Sequence, residues 1–353
     1  VFSDLDVDHV QAPYHDNRGQ LITRQTIAYV DILRNCGFAD SSLLESRVNQ
    51  WLELFDLHQP SLVICDHSPT TLLAARLTDV RTVMMGSGFS CPPICEPMVS
   101  LHPQLDIPRA ELIAREQVVL DVVNSVLIAR DRPPLESLAQ LYGDVDATFL
   151  TTIEELDHFG PRPHVRYWGA WSRGGGERPV WPASDKKRVV AYLTHTPGLD
   201  MLLDRLSRED FQCLIFGTWV TAELQQEFSD TGVFLLRNMI DFQKLGGQCD
   251  LALLNATHGA TFVMLRQGIP VVQLPTHVEQ RLIARCTTEI GAGLQAGTRD
   301  PDSVIESMHQ VLANGSYREA ALQVARRYQD CNLEGQFGEM MDALQELLRP
   351  TAR

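Results

Sequence analysis

The sequence predicts an α/β protein with two doubly wound domains, each built on a parallel sheet with helices on both faces. Three observations predict this fold class. Short apolar runs alternate with longer segments of helical pattern, which is typical of repeated strand–helix units. The chain has 353 residues, which is enough for about two domains of ordinary size. Its composition, with 44% hydrophobic and 21% charged residues, is that of a globular protein with sizeable cores.

The first half of the chain alternates strands and helices up to residue 168. Strands are predicted where short apolar runs end at polar or Gly- and Pro-rich residues, and helices where the composition is helical. In order, the predicted elements are strand 61–65, helix 70–77, strand 81–85, loop 86–93, helices over 109–128, and strands 147–150 and 165–168. Residues 1–168 are therefore predicted to form the N-terminal, acceptor-side domain.

A change of composition separates the two halves. Residues 169–187 contain a run of glycines, two prolines and no periodic pattern, which predicts an interdomain linker. The alternation then resumes, with strands 188–193, 212–216, 232–235, 251–254 and 270–274 and helices 199–206, 221–228, 259–267 and 279–290. Residues 188–334 are predicted to form a second doubly wound domain, and 335–353 a final helix that packs back across the domain boundary.

The charge balance and the cysteines narrow the classes of function. The formal net charge is −15, and a chain this acidic repels the phosphate backbone of nucleic acids. No apolar run reaches the roughly 20 residues of a transmembrane helix, and the eight scattered cysteines are typical of reduced thiols in a cytoplasmic protein. Since no group of Cys, His or carboxylates has the spacing of metal ligands, we predict a cytoplasmic, metal-independent protein.

The segment 250–280 is where the sequence is most informative about chemistry. An apolar strand ends there in small and hydroxyl residues at the start of a helix. Ligands of doubly wound sheets bind beyond the carboxyl ends of the strands, and the free amides of a helix N-terminus suit a phosphate. An anion site is one interpretation of this pattern, and an ordinary helix cap near Thr257 is the other.

The second half of this segment, together with the stretch that follows it, matches a known motif. The matching residues are Gly268-Ile269-Pro270, Pro275, Glu279-Gln280 and Gly291-Ala292-Gly293-Leu294. At this spacing they resemble the donor motif of the GT-B fold nucleotide-sugar-dependent glycosyltransferases, in the UDP-glycosyltransferase and macrolide-glycosyltransferase-like group. Counting back thirteen positions from Gly268 places Asn255 where the family usually carries a phosphate-binding His. Gly259 and Thr261 then fall on a Gly and a Thr of the motif.

The resemblance extends less specifically over residues 5–295. The stretches 65–70 and 86–93 look like acceptor-domain loops, and 167–169 resembles the family's exit into the linker. The family's opening strand and glycine-rich loop often carry the His that deprotonates the acceptor. They have no counterpart in this chain, so that base would lie upstream of Val1.

The resemblance implies a GT-B architecture, in which two Rossmann-like domains face a cleft. It implies an inverting glycosyltransferase that moves a sugar from a nucleotide diphosphate sugar to a hydroxyl of a small apolar or lipid-like acceptor. Helix amides instead of a metal would hold the diphosphate, so no cofactor is expected beside the nucleotide sugar and the acceptor. By resemblance, the donor contacts are Thr194, Thr196, Asn255, Thr257, His258, Gly259, Ala260, Thr261, Glu279 and Gln280, the acceptor contacts are Gly86, Ser87, Gly88 and Phe89, and the catalytic candidates are Asp66 and His67.

Other interpretations stay open. The stretch 194–198 could be a connecting turn, and Glu279 and Gln280 could complement a helix dipole. Consecutive residues of an extended segment point opposite ways, so only one of Asp66 and His67 is expected to face the cleft. A nucleotide-sugar epimerase or hydrolase would need a further carboxylate near the sugar. A degenerate relative that binds a nucleotide or a partner without catalysis is favoured by Asn255 in place of the family's His.

Overall fold

The structure, a computed structural model, describes residues 7–14, 26–171, 175–297 and 300–349. The opening segment near Val1 lies outside the described residues. The chain divides into two compact units. Unit 1 comprises Val1–Gly86, Ser90–Leu150 and Glu339–Arg353, and unit 2 comprises Ser87–Phe89 and Thr151–Gly338. None of the helices in the described part of the chain is long and apolar enough to cross a membrane.

Unit 1 contains a parallel sheet of three strands with helices packed against it. Its strands are β1 (Leu62–Cys65), β2 (Arg81–Gly86) and β3 (Ala147–Leu150), in the order β1-β2-β3. Its helices are α1 (Tyr29–Leu33), α2 (Ser41–His58), α3 (Pro69–Ala75), α4 (Arg109–Ile128) and α5 (Ala139–Gly143), with a π-helical turn at Arg34–Phe38. The register pairs Cys65 with Met84 and Gly86 with Leu150, so the segments that follow β1 and β2 begin at the same edge of the sheet.

Unit 2 contains a parallel sheet of six strands. The strands are β4 (Lys187–Tyr192), β5 (Phe211–Phe216), β6 (Val233–Leu236), β7 (Leu251–Leu254), β8 (Val271–Gln273) and β9 (Gly293–Gln295). Their order is β6-β5-β4-β7-β8-β9, which is the strand order of the doubly wound dinucleotide-binding sheet. The order reverses between β4 and β7, and ligands of such sheets bind at that point.

Helices connect the strands of unit 2. They are α6 (Leu199–Ser207), α7 (Ala222–Glu227), α8 (His258–Arg266), α9 (Val278–Glu289), α10 (Pro301–Ala313) and α11 (Gly315–Tyr328), with 3₁₀ turns at Glu154–Leu156, Phe242–Lys244 and Gly246–Gln248. The last helix, α12 (Leu333–Leu348), begins in unit 2 and ends in unit 1. All residues of β5 and of β7 are buried, as expected for central strands covered by helices on both faces.

The predicted fold class is confirmed, and the predicted strands of both halves are present with one exception. The predicted strand 165–168 is not a strand. Its side chains make contacts outside any sheet. The Tyr167 hydroxyl donates a hydrogen bond to the Asp157 carboxylate, and the Arg166 guanidinium lies 3.7 Å from the centre of the Trp168 ring. The short strand β9 is present although the sequence analysis did not assign a strand there.

The compact units divide at Leu150, whereas the sequence analysis placed the domain boundary at residue 168. Residues 151–168 belong to unit 2 because their apolar side chains are buried in its core. Ile153 and Leu156 pack in one cluster with Phe262 of α8 and Ile283 of α9. Since the predicted linker 169–187 also lies within unit 2, the change of composition there does not mark the division between the units.

Candidate functional site

The N-terminus of α8 is the centre of the candidate site. The chain leaves β7, takes a left-handed conformation at Ala256, where φ is +55°, and begins the helix after the N-cap residue Thr257. The Thr257 side chain does not cap the helix, and its hydroxyl is buried without a hydrogen-bond partner among the described residues. Among the residues that the structure describes, no side chain therefore accepts from the first amides of α8, and a bound anion could accept their hydrogen bonds.

Asn255 joins the ends of three strands beneath this helix. Its Oδ1 accepts hydrogen bonds from the Thr194 amide at 2.6 Å and the Thr194 hydroxyl at 3.2 Å, and its Nδ2 donates to the Leu274 carbonyl at 2.9 Å. These bonds tie β4, β7 and β8 together, and the side chain is buried. Asn255 therefore stabilises the strand ends next to the N-terminus of α8. Its direct contact with a donor stays a prediction.

Two more predicted donor residues have hydrogen bonds inside the scaffold. The fully buried Thr261 donates its hydroxyl to the Thr257 carbonyl at 2.8 Å and accepts from Gln273 Nε2 at 3.1 Å. The buried Gln280 uses its Oε1 to accept from the amide and the hydroxyl of Thr276, at 2.8 and 2.9 Å. Their roles are to fix the turn before α8 and the start of α9, and direct contact with a donor stays a prediction for both.

His258, the first residue of α8, lies in a cluster of rings. Its Nε2 is 2.6 Å from the hydroxyl of the buried Thr152. The ring of His158 stacks on it with centroids 5.9 Å apart and an angle of 17°, and Phe89 lies 5.7 Å from His158 on a tilted plane. His158 is fully buried, and neither of its ring nitrogens has a hydrogen-bond partner among the described residues.

Both histidines are neutral at pH 7. Burial, followed by the nearby His258, Arg162 and Arg285, holds the pKa of His158 well below its ordinary value. Desolvation lowers the pKa of His258 to about 4, and the positive end of a helix also disfavours an imidazolium there. His258 can therefore offer a ligand a hydrogen bond but not a charge.

Glu279 is the exposed carboxylate beside this cluster. It is the second residue of α9, and 39% of its side chain is exposed. Its Oε1 lies 3.9 Å from Nε2 of His158, which is too far for a hydrogen bond. The predicted donor residues His258 and Glu279 thus both lie beside His158, although 21 positions separate them in the chain.

A buried ion pair holds the loop Ser87–Phe89 in unit 2. The Asp157 carboxylate forms an ion pair with Arg162, whose Nε lies 2.8 Å from it. It accepts hydrogen bonds from Nη2 of Arg162 at 3.0 Å and from the Tyr167 hydroxyl at 3.1 Å. The Nη2 atom of Arg162 also donates to the Gly88 carbonyl at 3.3 Å. A side chain at Gly88 would collide with Asp157. Three of the four predicted acceptor contacts are thus fixed to unit 2, and their role in acceptor binding stays a prediction.

The catalytic candidates Asp66 and His67 lie in unit 1, directly after β1. The Asp66 side chain is exposed and accepts a hydrogen bond from the Ser90 hydroxyl at 2.7 Å. His67 has a left-handed backbone, with φ at +45°, and burial lowers its pKa. Gly86, the remaining predicted acceptor residue, ends β2 beside this pair, because a Cβ there would meet both Ser90 and Asp66.

The sequence analysis missed Thr152, Asp157, His158, Arg162 and Arg285. All five belong to unit 2, and four of them precede α8 by about a hundred residues in the chain. No local signal marks them, because Asp and Arg are mostly exposed and are fully buried only when they are paired, and the sequence does not show the pairing. Of the predicted donor residues not yet placed, Thr194 is exposed and Thr196 half-buried in the segment after β4, and Gly259 and Ala260 form the first turn of α8.

Solved structures with the same fold cover most of this chain. The spinosyn rhamnosyltransferase SpnG is 15% identical, covering 86% of this chain and 77% of its own, with a TM-score of 0.59. The glycosyltransferase VinC, in complex with thymidine diphosphate, is 16% identical, covering 92% of this chain and 83% of its own, with a TM-score of 0.62. The chain has the GT-B glycosyltransferase fold.

Further comparisons agree with this GT-B assignment. The glycosyltransferase SsfS6 of Streptomyces sp. SF2575 is 18% identical, covering 86% of this chain and 74% of its own, with a TM-score of 0.55. Residues 233–333 of the GT-B chain match the family model of the erythromycin biosynthesis protein CIII-like C-terminal domain. No curated protein sequence is significantly similar. The predicted resemblance to GT-B glycosyltransferases is confirmed, and the matched region contains α8 and α9, on which the candidate donor site is built.

Proposed function

We propose that the chain is a glycosyltransferase that transfers a sugar from a nucleoside diphosphate sugar to a hydroxyl of a small apolar acceptor. The observation that carries the proposal is the N-terminus of α8, where uncapped amides, the unpartnered hydroxyl of Thr257 and the neutral ring of His258 adjoin the switch point of a doubly wound sheet. VinC and SsfS6 have been solved with thymidine diphosphate, and SpnG with the spinosyn aglycone. These ligands support a nucleotide sugar as donor and an aglycone-like acceptor.

The reaction is a single displacement at the anomeric carbon. The acceptor oxygen forms a bond to that carbon while the bond to the diphosphate oxygen breaks, so the configuration inverts. The departing diphosphate gains negative charge, which the amides of Gly259 and Ala260 and a hydrogen bond from His258 stabilise. Glu279 accepts hydrogen bonds from hydroxyls of the sugar.

The acceptor must lose a proton in this reaction. Among the described residues of unit 1, the candidate bases are His67, whose lowered pKa keeps it neutral at pH 7, and Asp66, which is exposed beside it. Replacement of either by an uncharged residue of similar shape, Asp66→Asn or His67→Gln, separates a catalytic role from a binding role. A catalytic group changes kcat, whereas a group that only binds acceptor changes KM.

Replacing Gly259 by valine is expected to weaken binding of thymidine diphosphate about tenfold or more, because a branched side chain in the first turn blocks the approach of phosphate to the amides. Gly315→Val is the matched control, since Gly315 also lies in the first turn of a helix and has open space around it. Glu279→Ala should leave the affinity for the bare diphosphate unchanged and weaken that for the nucleotide sugar. Titration calorimetry on the wild type and the folded variants measures these affinities. Equal affinities of wild type and Gly259→Val would place the diphosphate elsewhere.

Binding of the nucleoside diphosphate is expected to survive metal chelation. Amides and a neutral imidazole stabilise the diphosphate without a bridging cation. Calorimetry in the presence of excess EDTA should therefore give the same affinity as in its absence. A loss of binding that Mg²⁺ or Mn²⁺ restores would contradict this metal-independent mode.

A second candidate function is binding of a nucleotide without transfer. Asn255 favours it, because this residue stands where the resemblance places a phosphate-binding His and its side chain is engaged with Thr194 and Leu274. The two functions differ in turnover. Release of nucleoside diphosphate from a nucleotide sugar in the presence of hydroxylated aglycones supports transfer. Tight binding with no release from any donor and acceptor pair supports the binding protein.

A further inference from the structure

Thr152 forms the only hydrogen bond that His258 makes through its ring to the described residues. The bond joins the Thr152 hydroxyl to Nε2 at 2.6 Å, and Thr152 itself is fully buried. The other ring nitrogen, Nδ1, makes no hydrogen bond to the described part of the chain. Because a neutral imidazole carries one proton, the role that Thr152 gives Nε2 decides what Nδ1 can offer.

The hydroxyl of Thr152 has one proton and two possible acceptors. One is Nε2 of His258 at 2.6 Å, and the other is the carbonyl of Ile153 at 3.3 Å. The Ile153 carbonyl already accepts the amide of Leu156 at 3.1 Å, so it does not depend on Thr152. At 2.6 Å the contact with Nε2 has the length of a hydrogen bond donated by a hydroxyl and is shorter than one donated by a ring N–H, whereas 3.3 Å to Ile153 is long for a hydroxyl donor. Nε2 therefore accepts the hydroxyl proton, and the ring proton of His258 lies on Nδ1.

The surroundings of His258 hold the ring in this arrangement. His158 stacks on it in a nearly parallel plane, and the His158 backbone is fixed because Arg285 donates to its carbonyl at 2.9 Å. His158 makes no hydrogen bond through its own ring, so it contributes a flat surface to the stack and does not compete for either nitrogen of His258.

We propose that Thr152 is a positioning residue that holds His258 in the Nδ1–H tautomer, so that the ring donates a hydrogen bond to the diphosphate of the donor. This inference rests on the proposed function, because the acceptor of that hydrogen bond is the nucleotide sugar. It assigns to the candidate site a residue from the segment after β3, about a hundred positions before the donor motif. An uncharged donor fits a site whose amides already supply partial positive charge.

The tautomer can be observed without any ligand. Two-bond ¹H–¹⁵N spectra of histidine-labelled protein distinguish Nδ1–H from Nε2–H, and His258→Gln identifies the signals of His258. The wild type and Thr152→Ser, which keeps the hydroxyl, should show Nδ1–H. Thr152→Val, which keeps the shape and loses the hydroxyl, should show increased Nε2–H. An Nε2–H ring in the wild type, or an unchanged ring in Thr152→Val, would overturn the assignment.

Affinity for thymidine diphosphate tests the second half of the proposal. Thr152→Val should bind it roughly fivefold more weakly than wild type, the effect of one hydrogen bond, and Thr152→Ser should restore the affinity. In the His258→Ala background the same change should have less than about a twofold effect, because the two residues act through one contact. Equal losses in both backgrounds would overturn the proposal. A wild type that binds no nucleoside diphosphate would contradict the proposed function instead, and the spectra would still decide the tautomer.

Discussion

Replacing Asp157 by alanine is expected to destabilise unit 2 by about 3–5 kcal/mol, which is the usual cost of removing one partner of a buried ion pair. The Asp157 side chain is fully buried and that of Arg162 is 14% exposed. Without the carboxylate, the guanidinium loses its charged partner in a place that water barely reaches. The Tyr167 hydroxyl also loses its acceptor, which adds to the cost.

Denaturation by urea, followed by tryptophan fluorescence, measures this change. Four of the five tryptophans, at positions 168, 171, 181 and 219, belong to unit 2, so the signal reports mainly on that unit. The matched control is Asp204→Ala, since Asp204 belongs to the same unit and pairs with Arg208 at 2.7 Å but is 59% exposed. Exposed pairs contribute about 0–1 kcal/mol. If both variants lost the same small amount, the Asp157 network would not be the anchor of the Ser87–Phe89 loop.

Replacing His158 by phenylalanine is expected to stabilise the protein, and more strongly in acid. An imidazole with two unpartnered nitrogens in the core costs about 1–3 kcal/mol, and phenylalanine keeps the ring without those nitrogens. Below pH 6.5 the unfolded chain also binds a proton at His158, whereas the folded chain does not, since burial keeps the pKa of this group far lower. The wild type therefore loses stability as the pH falls through this range.

The difference between the variant and the wild type should widen by about 2 kcal/mol between pH 7.5 and pH 5.0. Urea titrations at the two pH values measure it, and His195→Phe is the matched control because His195 lies at an exposed position of the same unit. His158→Leu is a smaller replacement that avoids overpacking beside Phe89 and gives the same pH trend. A constant difference across this pH range would show that His158 is protonated in the folded protein.

The strands and the donor segment were predictable because their signals are local. Apolar runs such as 251–254 and the spacing from Gly268 to Gln280 lie in short stretches of sequence, and the structure has β7, β8 and α9 at those places. The start of α10 also has a local signal, because Asp300 caps the helix and Pro301 follows it, although the sequence analysis did not assign this helix. Where the sequence analysis went wrong, at 165–168, a strand-like composition was overridden by the contacts of Tyr167 with the Asp157 network.

The ring cluster around His258 was not predictable, for a different reason. Thr152 and His158 have no periodic or spacing relation to α8, and they meet His258 only because Ile153 and Leu156 bury their side chains against α8 and α9. A lone Thr or His beside an acidic stretch looks like a surface residue. Whether such a residue is buried depends on which distant segments the chain brings against it, and no local sequence pattern encodes those contacts.

The path of the chain also limits the order in which the protein can fold during synthesis. The tripeptide Ser87–Phe89 is made early, but its partners Asp157 and Arg162 emerge only about seventy residues later. Unit 1 includes the end of α12, where Met340 and Leu344 are buried, so its last residues leave the ribosome after all of unit 2. Unit 1 begins before unit 2 but is synthesised completely only after it. We therefore expect that unit 1 cannot finish folding before unit 2, as it would in the usual order from the N-terminus.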